Sequence, residues 1–370
     1  NDWSTSGKMK IKYKKGNECA LLFSILTMMF YTLQGSPLFF GQLKVMIFVA
    51  AMSAVVAIIK KVKMKVRYKM IWVAMSGFCV LISIANTQDT RLIISMLAMI
   101  LGAVYDVHEL ITGAFVAKLV TFVLVMLSGG YSHINGCALH GGVVMLLYIA
   151  VVGSKLTKKN IAICLLLYLA LLYYTKSGSL IICGGVAVAL LAMRRLRGIK
   201  KIVLSRAMQL FFPIMLSINT ISAALFYQTK PPLISNILYA VDNFVSHRIE
   251  LAAYSLMRFG ITCFGGNVEF DLMSSSVGSY FNLDSGYMWL LQGSGIVVTV
   301  LFMMSTVIML KRFSEKKEYE LVVVAIVIAL WGLNEDMLLS LGMNFLYYYM
   351  GHAMKKTVNT RKVRIRYANS

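Results

Sequence analysis

The chain is organised around one polar stretch, Val245-Ser-His-Arg-Ile-Glu-Leu-Ala-Ala-Tyr-Ser-Leu-Met-Arg-Phe-Gly260. It lies in the only long segment too polar to sit within a membrane, from about residue 228 to residue 285. Read as a helix of about 3.6 residues per turn, the stretch places four polar side chains on one face: His247, Glu250, Tyr254 and Arg258. The sequence therefore predicts an amphipathic helix that rests on a membrane surface.

The composition outside this stretch is that of a membrane protein. The 370 residues are 59% hydrophobic and only 14% charged, whereas soluble domains are about 45–50% apolar. The net charge is +22, but the basic residues form short clusters between apolar runs instead of one basic surface. That distribution is typical of a polytopic membrane protein and argues against nucleic acid as a partner.

Apolar runs recur along the rest of the chain, and a membrane-spanning helix needs about 17–25 apolar residues. We predict about twelve spans on this basis, near 19–33, 42–59, 70–85, 92–105, 111–127, 137–153, 161–175, 179–193, 207–227, 286–310, 321–333 and 337–353. The predicted fold class is an all-α polytopic membrane protein with one large external loop that carries the amphipathic helix.

The basic clusters predict which side of the membrane each loop occupies. With about twelve spans, every cluster falls on the same side, which the positive-inside rule makes cytoplasmic. Both termini are then cytoplasmic, and the polar segment is external. The chain divides into a cytoplasmic tail 1–18, a bundle 19–227, an external loop 228–285, further spans 286–354 and a basic cytoplasmic tail 355–370.

The sequence indicates no cofactor. It has no Walker motif and no Gly-rich phosphate loop, so direct use of a nucleotide is not expected. Its cysteines lack the spacing of metal ligands. His133 and His140 share one helical face, but no third ligand follows at a useful spacing.

Four basic side chains lie away from the cytoplasmic clusters, at the predicted outer surface: Arg91, Lys176, Arg248 and Arg258. Guanidinium groups bind phosphate oxygens bidentately through charge-assisted hydrogen bonds. These cations therefore indicate a pyrophosphate-linked lipid as ligand, with solvated loop charges or headgroup contacts as the alternative. Lys118 lies inside a predicted span, where it is either functional or snorkels to the headgroups.

Other polar residues of the predicted outer surface have two interpretations each. Asp284 stands just before the span that begins at residue 286, where it either caps a helix or accepts a proton from an attacking hydroxyl. His133 and Asn135 either form hydrogen bonds at the membrane edge or cap the helix that follows.

Several short motifs are similar to those of one bacterial family. Ser132-His-Ile-Asn135 is similar to its His-Pro-Asn turn, and Tyr174-Thr-Lys-Ser-Gly-Ser179 to its Thr-x-Ser-Arg turn, with Lys176 in place of arginine. Further similarity lies in Ser246-His-Arg-Ile-Glu250, Phe259-Gly-Ile-Thr-Cys-Phe-Gly265, Leu283-Asp-Ser-Gly-Tyr287, Gly332-Leu-Asn-Glu335 and Asn344. With its predicted topology, the chain resembles the O-antigen ligase and polysaccharide polymerase superfamily, most closely the Wzy-type repeat-unit polymerases.

The resemblance implies a metal-independent, inverting glycosyl transfer at the outer leaflet of the bacterial plasma membrane. Negative charge on the departing pyrophosphate would be stabilised by Arg248 and Arg258, with help from Lys176 and Arg91. Asp284 would deprotonate the attacking sugar hydroxyl, with His247 as the competing base. The remaining substrate contacts implied by the resemblance are His133, Asn135, Tyr254, Tyr287 and Glu335.

The implied donor and acceptor are oligosaccharides linked to undecaprenyl pyrophosphate, in contact with membrane lipids, for capsular or exopolysaccharide. The flippase and chain-length regulator of the same pathway are the expected protein partners. One alternative is a ligase of the same superfamily, which would share the donor site. Another is a flippase or transporter of lipid-linked oligosaccharide, which would place its polar residues near the middle of the membrane.

Overall fold

The computed structural model describes residues 17–39, 44–61, 91–228, 231–268 and 283–354, and these residues contain helices and no strands. The longer helices are α1 (Glu18–Leu33), α2 (Lys44–Lys61), α3 (Arg91–Val104), α4 (Val107–Leu127), α5 (Ile134–Val152), α6 (Lys158–Thr175), α7 (Gly178–Ala192), α8 (Arg197–Val203), α9 (Phe211–Phe226), α10 (Pro232–Phe244), α11 (Arg248–Phe259), α12 (Gly295–Glu315), α13 (Tyr319–Trp331) and α14 (346–354). Short 3-10 turns occur at Gly153–Lys155, Met193–Arg195 and Ala207–Leu210. The all-helical prediction is confirmed.

Six segments of the described chain are long and apolar enough to cross a membrane: Val107–Leu127, Ile134–Lys155, Lys158–Thr175, Gly178–Arg195, Ala207–Phe226 and Gly295–Glu315. Three shorter apolar helices accompany them, namely α1, α3 and α13. These helices are compatible with a membrane protein, whereas the count of about twelve spans stays a prediction. The predicted span 70–85 lies outside the described residues.

Capping side chains fix where several helices begin. The Asp106 carboxylate accepts a hydrogen bond from the backbone N–H of His108 at 2.8 Å, at the start of α4. Thr157 and Asn160 form a capping box at the start of α6. Each device satisfies N–H groups that have no partner within the helix.

Among the longer helices that the structure describes, α13 is the most buried. Its side chains Val322, Val323 and Val324 are fully buried, as is Trp331 at its last position. Helices on the outside leave apolar side chains uncovered, such as Leu127 on α4 at 80% exposure and Leu166 on α6 at 67%. Exposed apolar surface of this extent is expected where lipid covers the protein.

The predicted span 337–353 is wrong in its first half. Within this stretch the structure is helical only over 346–354; residues 332–345 form turns that are buried over 337–342 and partly exposed over 333–336. Ser95 of α3 donates to the carbonyl oxygen of Leu339 at 2.8 Å, and the Asn344 side chain donates to that of Leu338 at 2.9 Å. Irregular backbone is tolerated at membrane depth where protein covers it and such bonds satisfy it.

The predicted span 286–310 also begins irregularly. A helical turn, Gly286–Met288, leads into a π-helical segment, Trp289–Gly293, and regular helix begins only at Gly295. The loop after α11 packs on this segment, because Gly266 donates its N–H to the carbonyl oxygen of Gln292 at 2.9 Å. Single π-helical turns occur frequently at functional sites.

The predicted amphipathic helix is α11, but it differs from the prediction at its start. His247 has a φ of +62° and precedes the helix, so it does not continue the helical face of Glu250, Tyr254 and Arg258. A second helix, α10, comes directly before the reversal and was not predicted. That this segment is external, and that the domain boundaries fall where predicted, stay predictions.

Candidate functional site

Arg248, the first residue of α11, forms an ion pair with Asp284, which lies just before the turn at residue 286. The two side chains are 14% and 16% exposed. Asp284 therefore does not cap the helical turn that follows, and Ser285 takes that position, accepting a bond from the N–H of Met288. The pair joins the amphipathic helix to the irregular start of α12.

A second ion pair lies close by. Arg91, the first residue of α3, contacts the carboxylate of Asp336 in the turns after α13. The guanidinium of Arg91 also lies over the Trp289 ring, 5.2 Å from its centroid, at a distance suited to a cation–π interaction. Arg91 thus reaches the π-helical segment that begins a few residues after Asp284.

Glu335 is partly buried and lies close enough to both pairs for the charges of Arg248 and Asp336 to act on it. Its Oε1 atom is 3.3 Å from the Ser179 hydroxyl, which donates to it from the first turn of α7. Burial raises the pKa of the Glu335 carboxyl above its ordinary value; the charge of Arg248 and the Ser179 hydrogen bond lower it, and Asp336 raises it further. Arg91, Arg248, Asp284, Glu335 and Asp336 are called the arginine–carboxylate cluster below.

Backbone contacts fix the cluster in place. Gly286 donates its N–H to the carbonyl oxygen of Gly332 at 2.9 Å. A Cβ atom at Gly286 would lie 2.9 Å from the carbonyl oxygen of Glu335, so a larger residue there would push the two segments apart. The Ser285 hydroxyl is 3.1 Å from the side-chain oxygen of Asn219, which ties the same turn to α9.

Arg258 is not part of this cluster. It lies in the last turn of α11, exposed, with its guanidinium 5.4 Å from the centroid of the Phe259 ring. Ten residues of helix separate it from Arg248, or about 15 Å along the axis. The prediction that the two arginines act together at one phosphate group is not supported by this placement.

His247 belongs to a separate group of polar residues at the reversal between α10 and α11. Its Nδ1 atom is 3.1 Å from Asp242 Oδ2 and 3.5 Å from Glu250 Oε2. The other oxygen of Asp242 accepts hydrogen bonds from the N–H groups of Ile249 at 2.8 Å and Glu250 at 3.0 Å. Asp242 therefore caps α11 across the reversal.

The same residues are the ones that could hold a metal in the part of the chain that the structure describes. Asp242, His247 and Glu250 place their ligand atoms within 4.8 Å of one another. His247 is 61% exposed, and Asp242 is already occupied by the backbone of α11. Capping accounts for the arrangement without an ion.

The other predicted substrate contacts fall in three places. Tyr287 is fully buried and donates its hydroxyl proton to the carbonyl oxygen of Ala329 at 3.0 Å, so it packs the turn onto α13 and is not open to substrate. Lys176 is exposed at the C-cap of α6, three residues before Ser179. His133 and Asn135 are exposed at the start of α5, and Tyr254 is half-buried on α11.

Lys118 does not snorkel to the headgroups. It is fully buried and donates to the hydroxyl of Thr32 at 3.3 Å and to the carbonyl oxygen of Gly342 at 2.9 Å. Its Nζ atom also lies 3.1 Å from Nδ1 of His140. Lys118 thereby ties α4 to α1, to α5 and to the irregular turns after α13.

Sequence reasoning missed two members of the site. Ser179 belongs to the Tyr174–Ser179 motif, but the sequence alone indicates no role for it, and it does not single out Asp336 as a site residue. The acidic pair Glu335-Asp336 directly after an apolar run was the available signal for Asp336. Nothing in the sequence paired it with Arg91, because that contact depends on how α3 packs against the turns after α13.

The described residues form an all-helical protein with six candidate membrane-spanning helices, and its arginine and carboxylate side chains meet where several apolar helices end. Comparisons with protein families, with curated proteins and with solved structures find no match to this chain.

Proposed function

We propose that the chain is a glycosyltransferase that joins undecaprenyl-pyrophosphate-linked repeat units into a polysaccharide. One observation carries the proposal. Four of the motifs similar to the polymerase family come from distant parts of the chain, and each contributes a residue to one small region: Ser179, Arg248, Asp284 and Glu335.

The chemistry of the cluster suits a diphosphate leaving group. A guanidinium has five N–H donors, and one carboxylate takes at most two of them in a fork. Arg248 therefore retains donors for a phosphate oxygen while Asp284 holds its orientation. In a partly buried site, such donors stabilise developing negative charge far better than they would in water.

The mechanism we propose is a direct, metal-independent displacement with inversion. The acceptor hydroxyl attacks the anomeric carbon as the pyrophosphate departs toward Arg248. The position of the cluster at helix ends suits a substrate whose lipid is in the bilayer and whose sugar is in water. Arg91, held by Asp336 and Trp289, adds positive charge beside the same turn.

The topology belongs to the proposal. We place about twelve spans in the bacterial plasma membrane, with both termini cytoplasmic and 228–285 external, on the distribution of the basic clusters. The cluster then faces the side on which lipid-linked repeat units are polymerised. A flippase that delivers these units and a chain-length regulator are the partners we propose.

The test is to give purified protein in lipid nanodiscs a lipid-pyrophosphate repeat unit and to resolve the products on a gel. A ladder of regularly spaced products supports the polymerase. Transfer of glycan to a different added acceptor, without a ladder, would make the protein a ligase. Leaflet exchange of the substrate in vesicles, with neither product, would make it a flippase.

One observation favours the transport alternative. Lys118 and His140 are buried together inside the bundle, and ionisable groups at that depth commonly mark a substrate or ion pathway. A leaflet-exchange assay that is active for the wild type, and inactive for Lys118→Met protein that is still folded by its melting curve and elution volume, would support transport. Exchange that does not differ from empty vesicles would remove this candidate.

A further inference from the structure

The three carboxylates of the arginine–carboxylate cluster have different partners. Asp284 is engaged by Arg248, and Asp336 by Arg91. Glu335 accepts a hydrogen bond from a neutral hydroxyl, that of Ser179, at 3.3 Å. A guanidinium beside a carboxylate stabilises its ionised form and so makes it a weaker base, whereas a carboxylate that accepts a hydrogen bond only from a neutral hydroxyl keeps more of its basicity.

The surroundings of Glu335 also suit proton transfer. From α11 it faces Arg248, from its own turn Asp336, and from α7 the Ser179 hydroxyl and the Cys183 thiol. Burial is the largest influence on its pKa, which lies above the ordinary value for a glutamate. A general base works best when its pKa lies near the working pH, so the shift is in the useful direction.

The other two bases suggested by the sequence are less well placed. The Asp284 carboxylate is held by the arginine that the proposed function assigns to the leaving group. His247 lies at the exposed reversal before α11, with Nδ1 beside the carboxylates of Asp242 and Glu250. Neither is a partly buried carboxylate whose hydrogen bond comes from a neutral hydroxyl, as the carboxylate of Glu335 is.

We propose that Glu335 is the proton acceptor of the transfer reaction and that Ser179 positions its carboxylate. This inference rests on the proposed function. The acceptor hydroxyl oxygen forms a bond to the anomeric carbon, the bond from that carbon to the phosphate oxygen breaks, and its electron pair leaves with the pyrophosphate. The hydroxyl proton moves to the Glu335 carboxylate and passes to water before the next turnover.

The test measures the rate of ladder formation as a function of pH for the wild type, Glu335→Gln, Glu335→Asp and Ser179→Ala. For the wild type we expect the rate to rise as Glu335 loses its proton and to level off at higher pH. Glu335→Gln should lower the rate by about a hundredfold to ten-thousandfold and abolish this rise, whereas Glu335→Asp should retain part of the rate and the rise.

Ser179→Ala tests the positioning role through the pH at which the rate rises, which would not change if Ser179 only packed the helix. The hydroxyl lowers the pKa of Glu335, so its removal raises that pKa and shifts the rise in rate to higher pH. The melting temperature and elution volume of each variant show whether it is folded. Glu335→Asp shows whether any carboxylic acid at this position is sufficient for proton acceptance.

The outcomes separate the inference from the function on which it rests. A wild type that makes no product with any acceptor overturns both. A wild type that polymerises, beside a folded Glu335→Gln with the same rate and pH profile, overturns the role of Glu335 alone. Loss of the pH-dependent rise in Asp284→Asn but not in Glu335→Gln would assign proton acceptance to Asp284.

Discussion

Lys118 donates a hydrogen bond to the carbonyl oxygen of Gly342 at 2.9 Å, deep inside the bundle. The contact joins a long apolar helix to the one stretch of irregular backbone that follows α13. A carbonyl group in such a place has no water to bond to, and leaving it without a partner is costly. Lys118 therefore supports the turns that present Glu335 and Asp336.

Lys118→Met should destabilise the protein. It keeps a long side chain but removes the donor, leaving the Gly342 carbonyl and His140 without this partner, which costs about 1–3 kcal/mol for one buried polar group. We expect a lower melting temperature in detergent. Lys44→Met, at the exposed first position of α2, is the matched control, and equal melting of the two variants would contradict the structural role of Lys118.

Arg248→Ala should remove most of the polymerising activity. Loss of one preorganised donor to developing negative charge typically lowers a rate by about a hundredfold to a thousandfold. Arg248→Lys should recover only part of it, because lysine keeps the charge and loses the two-pronged geometry. Product formation from the lipid-pyrophosphate repeat unit is the measurement.

The matched control for Arg248 is Arg194→Ala. Arg194 also forms a partly buried ion pair, with Glu320 at 3.0 Å, but on a different part of the bundle. Arg194→Ala should lower the melting temperature, but the rate of product formation per folded molecule should fall much less than in Arg248→Ala. Equal losses of rate in the two variants would show that Arg248 acts only through folding.

Asp242→Ala should loosen the start of α11. Removal of a capping side chain costs about 0.5–2 kcal/mol, and here one carboxylate oxygen serves the N–H groups of both Ile249 and Glu250. Amide hydrogen exchange at these two residues should accelerate relative to the wild type. The neighbouring Asn243→Ala should leave it unchanged, and a similar acceleration in both variants would contradict capping by Asp242.

Cys263 offers a test of the proposed topology without any added residue. Among the described cysteines it is the one classed as exposed, whereas Cys137, Cys164 and Cys183 are buried. If the segment is external, a membrane-impermeant thiol reagent added to intact cells should label this protein. Cys263→Ser should abolish the labelling of the protein. Labelling that appears only after the membrane is opened would place this segment on the cytoplasmic side.

The apolar runs predicted most helices well, because a helix that crosses lipid must be apolar over its length. The predicted spans 111–127 and 161–175 are contained in α4 and α6. The run 337–353 is also largely apolar, although its first half contains Ser340, Gly342 and Asn344, and that half forms turns. Contacts from α3 and α4, through Ser95 and Lys118, compete there with helix formation, and local composition cannot reveal them.

The site was predicted in part for a similar reason. Residue type and loop position singled out Arg91, Arg248, Asp284 and Glu335, and the structure brings all four together. The same reasoning grouped Arg258 and His247 with them, and both lie elsewhere. His247 has a positive φ, which takes it out of the helix. The sequence could not reveal this, because a positive φ is usually signalled by a glycine and this position is a histidine. The Pro231-Pro232 pair was an overlooked signal for the start of α10.

The pairing of Arg91 with Asp336 spans 245 positions of the chain, which constrains the order in which the protein can mature. Each helix can enter the bilayer as it leaves the ribosome, yet the first arginine must wait for nearly the whole polypeptide before it meets its acid. A nascent chain halted before residue 332 would contain Arg91, Arg248 and Ser179 but would lack Glu335 and Asp336, the acids that Ser179 and Arg91 contact. Insertion of the helices and assembly of the site are therefore separate stages of biosynthesis. Assembly of the site has to wait until the turns of residues 332–345 have been translated.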